Sequence, residues 1–175
     1  MSGPDVGLEA PPIIVTLAME DAARARFQAL RDAHFPPELN RVPAHLTLFH
    51  ALPGTAADEV EDVARRACAR EPFLVEVLAP RSLGRGVAFP CASATLAALR
   101  EEIASAFRDR LTRQDAQGWR PHVTVQNKVT PERARATLER LSREFEPWSF
   151  EALGLDLWDY LGGPWKHRAR VVLGE

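Results

Sequence analysis

The sequence predicts a bilobal α+β fold: a pseudo-twofold duplicated unit whose two antiparallel sheets, flanked by helices, surround a central cleft. Three observations predict it. A tetrapeptide alternating polar and apolar residues occurs twice, as His45-Leu46-Thr47-Leu48 and His122-Val123-Thr124-Val125. Each copy sits in the same order of elements: strand, helix, motif strand, helix, strand. Neither unit has the apolar surface to bury a sheet alone, so two units sharing one core is the economical arrangement.

The elements follow in order. Ile13–Ala18 is a β-branched run and reads as a strand. From Asp21 to His34, Phe27, Leu30 and His34 recur at helical spacing, and Pro36-Pro37 closes the helix. The first motif strand is predicted over Arg41–Phe49, with Pro53-Gly54 ending it. A helix follows from about Ala56 to Ala69 with Val60, Val63 and Ala67 inward, then a strand over Phe73–Leu78.

The second half repeats the plan. Gly84 and Gly86 bracket a turn before a short strand, Val87–Phe89. Ser93 is a suitable N-cap for a helix whose inner face is Leu96, Leu99, Ile103 and Phe107. Gly118 precedes the second motif strand, Arg120–Gln126. Thr130-Pro131-Glu132 combines N-cap, N1 proline and early acid, and Leu138, Leu141 and Phe145 give that helix its buried stripe. Phe150–Tyr160 and Trp165–Leu173 are strands joined by the hairpin signal Leu161-Gly162-Gly163-Pro164. Residues 13–175 therefore read as one bilobal domain with an internal repeat at about 13–80 and 84–173. Residues 1–12, with Gly3, Pro4, Gly7, Pro11 and Pro12, read as a disordered leader.

Composition narrows the function. The 175 residues are 46% hydrophobic and 26% charged, as expected of a soluble globular chain. No apolar stretch approaches the roughly 20 residues that span a bilayer, and the first residues lack the pattern of a signal peptide. Cys68 and Cys91 form neither a disulfide framework nor a metal-ligand spacing and are expected to be buried and inert. A cytoplasmic monomer is the default. With a net charge of −2, the surface as a whole does not attract nucleic acid. An anionic ligand must be held by a local cluster.

The motif supplies one. On a strand, His45 and Thr47 project to one side while Leu46 and Leu48 face the helices, and His122 and Thr124 do the same above Val123 and Val125. Two imidazoles can divide labour as base and acid near neutral pH, and two hydroxyls can hold phosphoryl oxygens as charge moves. Displacement at phosphorus needs this set and no metal. Continuing the alternation puts Arg120, Gln126 and Lys128 on the His122 face and Phe49 on the His45 face, where its ring is expected to wall the site. Arg41 shares that parity, although Pro43 interrupts the strand.

These residues resemble the paired His-x-Thr-x signature of the 2H phosphoesterase superfamily, which includes bacterial 2′-5′ RNA ligase-like proteins and cyclic phosphodiesterases. The wider contexts Val42-Pro43-Ala44-His45-Leu46-Thr47-Leu48-Phe49 and Arg120-Pro121-His122-Val123-Thr124-Val125-Gln126 carry the likeness, which extends over nearly the whole chain after Pro12. The resemblance implies a bilobal α+β fold and metal-independent chemistry on RNA-type phosphodiesters: opening of 2′,3′-cyclic phosphates to 2′-phosphates, or cleavage and formation of 2′-5′ linkages. It implies His45 and His122 as the catalytic pair and Thr47 and Thr124 as oxygen donors, with no cofactor. The implied partners are RNA ends or small cyclic or 2′-5′-linked nucleotides. Which histidine begins as the acid is open. Phe49, Arg120, Lys128 and Tyr160 are the candidate substrate contacts, Tyr160 because Leu153, Leu155 and Leu157 leave Asp156, Trp158 and Tyr160 on the opposite strand face. Two other readings stand beside this one: a nucleotide-binding module without turnover, and a phosphoesterase of another cyclic or oligoadenylate substrate. His50, of opposite parity to His45, is expected at an edge unless a bulge turns it.

Overall fold

A computed structural model describes residues 10–175. The elements are β1 (Ile13–Met19), α1 (Asp21–His34), β2 (Thr47–Leu52), α2 (Ala57–Ala67), β3 (Phe73–Val77), β4 (Arg81–Ser82), β5 (Val87–Ala92), α3 (Ala94–Ala106), α4 (Arg113–Ala116), β6 (His122–Gln126), α5 (Pro131–Glu144), β7 (Trp148–Tyr160) and β8 (Trp165–Val172). The α+β class holds. The two expected sheets are joined into one antiparallel sheet of order β2-β1-β7-β3-β5-β4, with β6 beside β5 and β8 beside β7. A bridge between Leu46 and Val123 brings the two motif segments together and nearly closes it.

Long β7 makes the joint. Its 13 residues pair with β1 along one edge and with β3 and then β8 along the other. Helix starts follow the local chemistry: Ser93 Oγ accepts from Leu96 N–H at 3.0 Å, and Thr130 Oγ1 accepts from Arg133 N–H at 3.2 Å, each satisfying an orphan donor of the first turn. The fully buried rings of Phe27, Phe49, Phe107 and Phe150 anchor one continuous core, each contributing about 1.5–3 kcal/mol by leaving water.

The first motif strand begins later than expected, at Thr47, because Pro43 cannot donate to a ladder and the segment before it forms bends. Two short elements, β4 and α4, lack the length or periodicity to be read from sequence. Residues 1–9 of the expected leader lie outside the described residues. The last part is tied down: the Pro12 carbonyl accepts from Tyr160 N–H at 2.9 Å, and the Pro11 carbonyl would lie 1.9 Å from a Cβ at position 54, where the residue is glycine.

A shared irregularity governs both motif strands. Val15 pairs with Phe49 but the next residue, Thr16, pairs with Thr47. Likewise Val87 pairs with Gln126 and Ala88 with Thr124. Each motif strand thus inserts one extra residue straight after its threonine, as a β-bulge does. Alternation reverses there.

Candidate active site

The two motifs line one cleft of about 690 Å³. His45, Thr47, His122 and Thr124 all border it, with Arg81 from β4 and Arg120 ahead of β6; Asp115 is the one carboxylate among its lining residues. Each imidazole is held the same way. His45 Nδ1 lies 2.7 Å from the Pro43 carbonyl, and His122 Nδ1 lies 2.8 Å from the Arg120 carbonyl. A carbonyl can only accept, so both Nδ1 atoms carry hydrogen and Nε2 is the nitrogen left for a ligand.

The halves differ in cover. His122 is exposed, whereas His45 is half-buried with the Trp165 ring centroid 4.8 Å from its own. Burial, with further pressure from the Arg31, His122 and His50 charges and against the Pro43 hydrogen bond, pushes the His45 imidazole down to about 4. It is neutral at pH 7. This asymmetry comes from the β7–β8 hairpin reaching over one motif.

Neighbouring residues lock the motif backbones. Trp119 Nε1–H donates to the Thr47 carbonyl at 3.0 Å. Buried Arg100 donates to the Leu48 carbonyl at 3.3 Å and to the Asp115 carbonyl at 2.7 Å. Asp115, buried at the start of α4, accepts from His50 N–H at 2.8 Å and Ala51 N–H at 2.9 Å, with the His50 ring nitrogen at 3.3 Å. The bulge after Thr47 turns His50 to the cleft lining, the exception to its strand parity. Among the described residues no group of three metal-ligating side chains converges.

Placement of the other candidates is uneven. Arg120 borders the cleft. Phe49 does not: the bulge reverses it into the core, where it is 0% exposed beneath the Arg100 guanidinium, 4.4 Å from the ring centroid. The expectation of a Phe49 wall is therefore corrected. Gln126 is reversed in the same way and is bound through Nε2 to Thr137 Oγ1 at 2.8 Å. Lys128 is exposed at a turn with φ 61°, past the end of β6 and outside the cleft. Tyr160 lies at the far end of β7, 39% exposed and bordering neither large cavity. Arg81 and Asp115 had no pattern in the sequence to announce them. Arg100 did: it falls on the same helical stripe as Leu96 and Ile103.

The fold and paired histidines define a 2H-type phosphoesterase architecture. Solved structures share that fold: a phosphoesterase at 17% identity and TM-score 0.64, covering 94% of this chain and 99% of that one; TT0787 of Thermus thermophilus at 14% and 0.66, covering 93% and 98%; and Escherichia coli LigT complexed with 3′-AMP at 17% and 0.60, covering 94% and 99%. No curated protein matches the chain. A family model described as the 2′-5′ RNA ligase superfamily matches residues 19–164, and the chain belongs to that family.

Proposed function

We propose that the chain is a metal-independent phosphodiesterase of RNA-type phosphoesters, with His45 as general base and His122 as general acid. The observation that carries this is the identical Nδ1–H to carbonyl tether on two histidines of one cleft, which leaves each Nε2 for a ligand in a space that Thr47 and Thr124 also line. A binding module has no need of two imidazoles fixed in the tautomer that acid–base transfer uses.

In the opening of a 2′,3′-cyclic phosphate, water attacks phosphorus while neutral His45 Nε2 takes its proton. The P–O3′ bond breaks, and protonated His122 delivers its Nε2 proton to the departing 3′ oxygen, leaving a 2′-phosphate. The imidazoles end with their protons exchanged. Burial keeps His45 neutral at pH 7, so it starts in the protonation state that a general base needs. Thr47 and Thr124 donate to the non-bridging oxygens, and Arg81 and Arg120 offset their charge. Cleavage or formation of a 2′-5′ linkage uses the same pair. Complexes of LigT with 3′-AMP, NADP+ and ATP support a nucleotide ligand here.

The test is chelator-treated protein incubated with 2′,3′-cyclic nucleotides and 2′-5′-linked oligonucleotides, with product phosphates identified by NMR. A 2′-phosphate product is expected. No turnover of either class at any pH between 4 and 9 contradicts the proposal.

A further inference from the structure

His45 and His122 are anchored to the fold by different means. His122 opens β6 and pairs with Pro90 of β5, so a ladder sets its place. His45 lies ahead of β2, in a segment that Pro43 keeps out of the ladder. The Pro43 carbonyl that tethers its Nδ1 at 2.7 Å therefore needs an anchor of its own.

Gln28 on α1 supplies it. Its Oε1 accepts from Ala44 N–H at 2.7 Å. The Pro43 carbonyl and the Ala44 N–H belong to one planar peptide and point in opposite directions, so a bond that holds the N–H also aims the carbonyl. Ala44 is buried, and without Gln28 its N–H would go unpaired. The Gln28 amide is itself oriented. Its Nε2 donates to Asp32 Oδ1 at 2.8 Å, one turn further along α1; a carboxylate can only accept, which leaves Oε1 for Ala44. Asp32 Oδ1 also accepts from Asn40 Nδ2 at 2.9 Å, and Asn40 Oδ1 accepts from Arg31 Nε at 2.8 Å. The second motif has no counterpart. The Arg120 carbonyl that tethers His122 precedes Pro121, whose nitrogen carries no hydrogen.

We propose that Gln28 is a positioning residue for the reaction: by holding the peptide that joins Pro43 to Ala44, it keeps His45 in the Nδ1–H tautomer, with Nε2 free for the cleft. The effect on turnover rests on the phosphodiesterase reading; the effect on the ring does not. An imidazole released from its carbonyl can carry its hydrogen on Nε2 instead. In that form it has no lone pair there to take a proton from water. Gln28 does not border the cleft, so its loss is expected to lower kcat and leave KM.

The experiment records imidazole nitrogen NMR spectra at about pH 8, where an ordinary histidine is neutral, together with steady-state kinetics on a 2′,3′-cyclic nucleotide. Two variants are compared with wild type. Gln28→Leu keeps the bulk and the helix propensity and removes the acceptor; Gln28→Ala gives the same readout if leucine is not tolerated. Gln28→Glu combined with Asp32→Asn reverses donor and acceptor within the side-chain pair, so the Ala44 N–H keeps a partner. In Gln28→Leu, His45 is expected to show a mixture of tautomers while His122 stays Nδ1–H. There kcat is expected to fall by about 10-fold to 10²-fold, the scale of a misplaced catalytic group, with KM within about twofold of wild type. The combined variant is expected to restore both His45 and kcat. An unchanged His45 in Gln28→Leu, an equal change at His122, or mixed tautomers with wild-type kcat overturns the proposal. So does a combined variant that behaves as Gln28→Leu does. The two readings fail separately. If wild type turns over the cyclic nucleotide and Gln28→Leu keeps both tautomer and rate, the role of Gln28 falls alone. If His45 responds as expected while wild type turns over no phosphodiester, the hold on the ring stands and the chemistry falls.

Discussion

The Arg31 guanidinium on α1 donates to the Thr124 carbonyl at 3.2 Å, so a helix of the first half holds the motif strand of the second. Arg100 on α3 makes the reciprocal contact, to Leu48 in the first motif. Both arginines are buried, and burial pulls each below the ordinary guanidinium range, though they remain charged. The halves are therefore tied at the backbone of the site itself, where a small drift would separate the two histidines.

Arg100→Met is expected to destabilise the protein by about 1–3 kcal/mol, because the Leu48 and Asp115 carbonyls lose their partner without gaining water. Urea denaturation measures it. A midpoint equal to wild type, with unchanged slope, contradicts the assigned role.

Activity is expected to fall on the acid side as His45 gains a proton near pH 4. Because burial disfavours the imidazolium, uncovering the ring must raise its proton affinity. Trp165→Ala should therefore move the acid limb upward, toward the ordinary histidine value of about 6.5. Stability follows the same sign: the buried neutral His45 contributes fully above that ordinary value, and the contribution is lost as pH falls toward 4. An acid limb unmoved in Trp165→Ala means that the indole does not set His45.

Asp115→Ala is expected to cost about 1–3 kcal/mol at neutral pH by stranding the His50 and Ala51 amides. Burial alone would raise this carboxyl; its hydrogen bonds from the His50 ring and the two backbone amides outweigh that and hold it below the usual range. Its stabilisation is present above the ordinary aspartate value of about 3.9 and lost as pH falls through its lower folded value. Thermal unfolding across pH 2–7 checks both statements, and Asp115→Asn should flatten the acid-side loss.

Gly86→Ala is expected to destabilise by about 1–3 kcal/mol. The added Cβ would sit 2.0 Å from the Gln126 carbonyl at the bulge of β6, so strand or bulge must shift. Wild-type stability in this variant would show that the bulge is free to move.

The sequence was most legible where one period rules. His45, Thr47, His122 and Thr124 share a cleft as strand alternation requires, and the caps at Ser93 and Thr130 form where their side chains allow. Alternation misled beyond the threonines, since neither Phe49 nor Gln126 carries a local sign of the bulge that reverses it. Arg31 and Arg100 each lie on their helix's buried stripe, Arg31 four residues after Phe27 and Arg100 four after Leu96, but helical spacing alone does not say which carbonyl across the fold each guanidinium meets. The approach of Trp165 to His45 joins residues far apart in sequence, and local pattern does not encode it.

The most direct measurement is kcat/KM for a 2′,3′-cyclic nucleotide in His45→Ala and in His122→Ala, each compared with wild type in the presence of chelator. A paired acid and base predicts that each substitution lowers it by about 10²–10⁴-fold and that chelator has no effect. Wild-type turnover in either variant contradicts the account.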